Sequence, residues 1–217
     1  RDTAVTLIAS DRLQEGLVGA IRIPLTPSEY LLLENRQQRG GTEVDLPAGV
    51  EVPFEGLELG WIRPDQIEFS HTVTKEESDS LAGRGAGVWL RAEEYDAFIP
   101  GSGVLIWHVD DAVITKNPEG FNNDRVRPGI ALKEADGARD IGNAFFDRQN
   151  LTEGVRQDLF FDGIAPVGIQ GQTHLTPDTS PSSVSNTGLE TGVEVEILSD
   201  AGDAMDVTIR FRRQNYR

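Results

Sequence analysis

The chain has no cysteine among its 217 residues, which excludes a disulfide framework and any thiolate metal centre. Zinc-helix chemistry is also missing. An HExxH motif needs two histidines one helical turn apart, with a glutamate between them as base. The three histidines, His71, His108 and His174, are scattered and none opens that pattern. There is no GxSxG elbow, phosphate-binding loop or dinucleotide fingerprint, and no serine is marked as activated by a neighbouring base. Basic residues are scarce, 20 against 36 acidic, for a formal charge of −16. Nucleic acid and anionic membrane need basic patches, so neither is an expected partner. No apolar run approaches the length of a membrane span. The chain starts at Arg1 without a Met or a signal peptide, and reads as a piece of a longer protein.

Long helical periodicities are lacking too, while Gly (23) and Pro (11) are frequent. This composition predicts a mainly β fold: a β-sandwich or packed antiparallel sheets with long loops and little helix. The most apolar strand-length run is Val104–Val109, within PGSGVLIWHVDD at 100–111. Alternation places Val104, Ile106 and His108 on one face and Leu105, Trp107 and Val109 on the other. Both faces are apolar, which predicts a central strand with layers on both sides. Trp107, Trp89 and Trp61 are read as core.

Further strands are expected at Ala20–Leu25, with Pro24 marking an edge or an end, at Glu29–Arg36 and at Ile130–Glu134. A closing hairpin pairs Val193–Ile197 with Met205–Phe211 across the turn Asp200–Asp203. The chain begins irregularly before Ala20, and Ala112–Arg127 reads as the loop after the central strand, with a turn at Asn117–Gly120. Gly60–Ile62 and Val88–Leu90 read as short strands, Thr74–Leu81 as helix or loop, and Arg91–Phe98 as helical turns. The chain is expected to form a single β domain over 1–217, with 38–99 an inserted excursion or small subdomain.

Oxygen ligands gather in the loops. Asp110, Asp111, Asn122, Asn123 and Asp124 flank one loop; Glu134, Asp136, Asp140, Asn143 and Asp147 crowd the next. Calcium takes six to eight oxygens, usually gathered from loops. The full EF-hand spacing is absent. The expected metal set is Asp110, Asp111, Asn123, Asp124, Glu134, Asp136 and Asp140, converging at one sheet edge. The competing reading is that these side chains solvate the surface and cap turns. Asp200 and Asp203 are read as turn residues. His108 is read as a core histidine bonded to backbone or to a buried carboxylate. No residue is assigned a catalytic role or an organic cofactor. Glu34 and Arg36 share a face and are read as a structural pair.

Four segments resemble the region that follows the catalytic helix in secreted metallopeptidases of the M6 type, the immune-inhibitor-A-like family. SEYLLLENRQ at 28–37 is similar to that family's EYFLLENRQ strand, PGSGVLIWHVDD to its PGSGLLIWHVD, and ALKEADG at 131–137 to its VEADG. Residues 176–209 resemble its terminal piece. The resemblance covers 15–37 and 100–210. It departs from the family at 37–99, where the family has a short link to PGSG, and in lacking the HExxH helix. It implies secretion, calcium sites, zinc in a catalytic module upstream, and protein or peptide substrates met through that parent. The chain itself is then expected to be inactive alone, a support for the catalytic domain of the same chain. An extracellular calcium-dependent binding or adhesion sandwich is the alternative. A third is that the chain lends a residue to a neighbouring active site.

Overall fold

The computed structural model describes residues 2–38, 67–69, 89–92, 99, 101–141, 154–164 and 168–212. The chain divides into two compact units, one formed by residues 1–37 with 99–217, the other by residues 38–98. Described in the smaller unit are two antiparallel strands, Ile67–Phe69 (β4) and Trp89–Ala92 (β5). Strand thus replaces the helical turns expected at Arg91 and Ala92. Gly60–Ile62 and Thr74–Leu81 lie outside the described residues, as do Trp61, His71, Asn143 and Asp147.

The larger unit is mainly β, built from two antiparallel four-stranded sheets. The first runs β1 (Thr3–Ile8), β10 (Ala204–Phe211), β9 (Val193–Ile197), β8 (His174–Leu175). The second runs β2 (Ala20–Pro24), β3 (Glu29–Arg36), β6 (Gly103–Asp110), β7 (Ile130–Leu132). The period-two pattern explains how they stack. Leu31, Leu33, Val104 and Ile106 point from the second sheet into the same core as Leu7, Met205, Val207, Val195 and Ile197 from the first. Pro24 ends β2, an edge strand that tolerates its missing N–H.

Two readings are corrected by long-range pairing. The first residues are not irregular: Thr3–Ile8 pairs along its whole length with β10, Thr3 opposite Ile209 and Ile8 opposite Ala204. Residues after β6 are not all loop. Asp110 accepts hydrogen bonds from the amides of Ala112 (3.1 Å) and Val113 (3.3 Å) and so starts a short helix, α1 (Asp111–Lys116). The helix is too short to bury a face.

β6 is flanked by β3 and β7, and seven of its eight residues are buried. The exception is Trp107, which is half-buried rather than core. Its indole N–H donates to Glu34 Oε1 at 2.8 Å, and Arg36 Nε lies 3.2 Å from Glu34 Oε2. An indole needs a hydrogen-bond partner, and this one finds it on the outer face.

Beyond the strands, Phe160 and Phe161 are fully buried. Phe160 exchanges both backbone bonds with Val104, at 2.9 and 3.0 Å, which closes the core from outside the regular sheets. Gly103 makes this approach feasible. Its φ is +156°, and a Cβ there would lie 2.8 Å from the Phe160 carbonyl oxygen. At the far end of β3, the buried Asn35 donates to the carbonyls of Leu7 (3.0 Å) and Gly202 (2.9 Å), joining the second sheet to the first.

Ile106→Ala is expected to cost about 2–5 kcal/mol, the range for truncating a fully buried aliphatic side chain. Trp107→Ala should cost less, because part of its ring is already in water. Paired urea melts measure the two, and a larger loss at Trp107 would place the tighter packing on the outer face.

Candidate functional site

Antiparallel register sets Glu29 of β3 directly opposite Asp110 of β6. Both are buried, at 3% and 0% exposure. Like charges across a strand pair repel, and burial strengthens the repulsion. The protein supplies donors to each. His108 Nε2 lies 2.9 Å from Glu29 Oε2, and the Asn186 backbone N–H donates to the same oxygen at 2.6 Å. Asp110 Oδ2 receives Arg127 Nε (3.1 Å), Arg127 Nη2 (2.9 Å) and Asn186 Nδ2 (3.1 Å). Its Oδ1 caps α1.

The electrostatics follow from these contacts. Burial, and then the charge of Lys133, hold His108 below its ordinary range, against the pull of Glu29 and Asp110. Burial pushes the Asp110 carboxyl upward, but bonds from Asn186, Arg127 and Val113 outweigh it and leave the group below the usual range. His108 is thus a core histidine on a buried carboxylate. Every oxygen of Asp110 is taken by a protein donor, which leaves it poorly suited to a cation.

The other expected ligands divide by loop. Asp111 is exposed in the first turn of α1. Asn122 Oδ1 accepts from Ile130 N–H (2.9 Å), while the exposed Asp124 caps the amides of Val126 (2.9 Å) and Arg127 (3.3 Å). Asn123 turns back through its N–H to Gly120. Asp136 is exposed, and its Oδ1 accepts from Ala138 N–H at 2.8 Å. These are turn-forming bonds.

Glu134 and Asp140 come together, and a residue that sequence reasoning missed joins them. Asp158 lies in the 3-10 turn Arg156–Asp158, and its carbonyl accepts from Ala135 N–H at 2.9 Å. Glu134, Asp140 and Asp158 each offer a carboxylate oxygen within 4.8 Å of the others. Glu134 is 6% exposed and Asp158 1%. Glu134 Oε2 accepts from Asp140 N–H (2.7 Å) and Asp158 Oδ2 from Val155 N–H (2.6 Å). Asp140 Oδ1 and Asp158 Oδ1 are buried with no hydrogen-bond donor among the described residues. Burial first, then the charges of Asp136, Glu134 and Asp140, push Asp158 up to about 7 despite its bond from Val155. Burial likewise raises Glu134. The available signal was an aspartate set against Leu-Phe-Phe, a charge placed at the entry to a core segment.

Among the described residues, no catalytic set forms around His174, the other described histidine. His174 Nδ1 lies 2.7 Å from Thr173 Oγ1, yet His174 is exposed. Its Nε2 is 3.5 Å from Glu196, beyond a good hydrogen bond, and Arg210 holds that carboxylate at 2.7 Å. Comparison of the chain with protein-family models, with curated proteins and with solved structures finds no match.

Two outcomes are expected. Arg127→Ala should destabilise by about 1.5–3 kcal/mol in a urea melt, the range for hydrogen bonds to a charged group, because Asp110 stays buried. In chelator, Asp158→Asn should be more stable than the parent above pH 7. The raised group favours the fold fully below its unfolded value of 3.8, and that contribution is lost as pH rises to about 7. The advantage of the variant should therefore shrink to nothing below pH 3.8. His108 and Asp110 act in the opposite sense, since groups held low lose their contribution as pH falls.

Proposed function

We propose that this chain is the non-catalytic β module of a secreted, M6-like zinc metallopeptidase. It lies C-terminal to the helix that carries the zinc ligands and supports that catalytic module. Protein or peptide substrates reach it through the parent. The observation that supports this reading is the register of β3 against β6. Arg36, at the end of β3, stands opposite Gly103, at the start of β6. The resemblance implies a short link between these two segments, and neighbouring antiparallel strands with matched ends are what a short link requires. In this chain the same two ends carry residues 38–98 as a compact unit of their own.

The other resembling segments join the same piece. The ALKEADG stretch contains β7, and its Lys133 N–H donates to Ile106 of β6 at 2.8 Å. The terminal segment contributes Asn186, which bonds Glu29 and Asp110 together. Four stretches far apart in sequence therefore form one hydrogen-bonded unit, as they would if they had been kept as a set.

The deciding observation is the coding sequence upstream of Arg1, where an HExxH helix is expected. Its absence would hand the reading to an extracellular binding or adhesion module. The 217-residue chain alone should leave casein intact, with or without added zinc. Cleavage that a chelator abolishes would overturn the non-catalytic assignment.

A further inference from the structure

We propose that Glu134, Asp140 and Asp158 form a calcium site. The peptidase resemblance implies calcium sites without placing one; this assignment names the ligands, and it stands without that reading because it rests on the side chains alone. Two stretches of the chain deliver the three carboxylates: the loop after β7 supplies Glu134 and Asp140, and the turn before Phe160 supplies Asp158. One oxygen from each lies within 4.8 Å of the others. A calcium ion at about 2.3–2.6 Å from each ligand spans oxygens up to about 5 Å apart.

The second observation concerns hydrogen-bonding capacity. Buried carboxylate oxygens in folded proteins find donors, as every oxygen of Asp110 does here. Asp158, at 1% exposure, keeps Oδ1 buried with no donor among the described residues, and Asp140 does the same with its Oδ1. No lysine or arginine forms an ion pair with any of the three among the described residues. A cation supplies what the protein does not.

The donor set selects its chemistry. All the ligands are hard oxygens, with neither histidine nor thiolate, which disfavours zinc and copper. Three carboxylates on two separate stretches of loop suit the irregular, six-to-eight-oxygen shell of calcium better than the tight octahedron of magnesium. Backbone carbonyls and water can complete the shell. Gly137, at φ +76°, turns the loop between Glu134 and Asp140, and a Cβ there would lie 2.7 Å from Ser180 Oγ. The loop is therefore closely held on its outer side as well.

The test is made at pH 8 on the 217-residue chain, using calcium chloride against EDTA at matched ionic strength. Calcium at millimolar concentration should raise the melting temperature by several degrees, and magnesium by less. Equilibrium dialysis with radioactive calcium should find one ion per chain that Asp158→Asn and Glu134→Gln lose. Asp124→Asn, an exposed turn residue in the other acidic loop, should keep both the ion and the shift. Asp140→Asn, at the partly exposed member, serves if a buried variant fails to fold, with circular dichroism as the check. Identical melting curves in calcium and sodium chloride, or a bound ion that survives both Asp158→Asn and Asp140→Asn, would overturn the assignment.

Discussion

Two carboxylates facing each other across adjacent buried strands are the constraint on which this structure turns. Glu29 and Asp110 occupy paired positions in β3 and β6, the two most buried strands of their sheet. Left alone they would drive the strands apart or take up protons. The chain instead sends donors from three directions: His108 from β6 itself, Arg127 from the loop after α1, and Asn186 from the segment before β9. Each donor fixes the element that carries it. Ser183 Oγ, in the same segment as Asn186, donates to the Val193 carbonyl of β9 at 2.6 Å, so this segment grips both sheets. Asn35 does the same from the opposite end of β3. Apolar burial brings the sheets together without fixing their offset; the directional bonds of Asn35 and Asn186 define it.

The strands whose partners are close in kind were legible from the residues. Val193–Ile197 and Met205–Phe211 alternate cleanly and meet across a short turn; Glu29–Arg36 and Val104–Val109 announce their burial by apolar content alone. What the sequence could not display was information held by distant pairs. Thr3–Ile8 has a strand's β-branched composition, but its partner lies at the other end of the chain. Trp107 sits in an apolar run yet needs a polar partner, which comes from Glu34 on the next strand. Asp158 was passed over because it stands outside the acid-rich loops, and only folding brings it to Glu134. The acidic loops themselves were visible by composition. Which of their oxygens cap turns and which remain without donors depends on backbone geometry that no spacing records.

Asp110 and Asp158 show two fates for a buried carboxylate in one protein. The first is surrounded by amides and a guanidinium, so its charge is stabilised and its titration moves down. The second is buried with one backbone donor and three acidic neighbours, so its charge is disfavoured and its titration moves up. Sequence counts treat the two as equals. Their surroundings make one a structural anchor and the other a group that still seeks a positive partner.

The matched ends of β3 and β6 have a consequence for how such a chain can change. Arg36 and Gly103 face each other across a ladder bond, so whatever connects them begins and ends at nearly the same point in space. Closing a loop there costs entropy that grows only with the logarithm of its length, about 0.6 kcal/mol for each doubling. A connection of a few residues and one of dozens are then separated by an amount that a few well-packed side chains can offset. This junction is a docking bay for foreign sequence: new segments can be taken up or shed there while the core pairing of β3 with β6 stays in register.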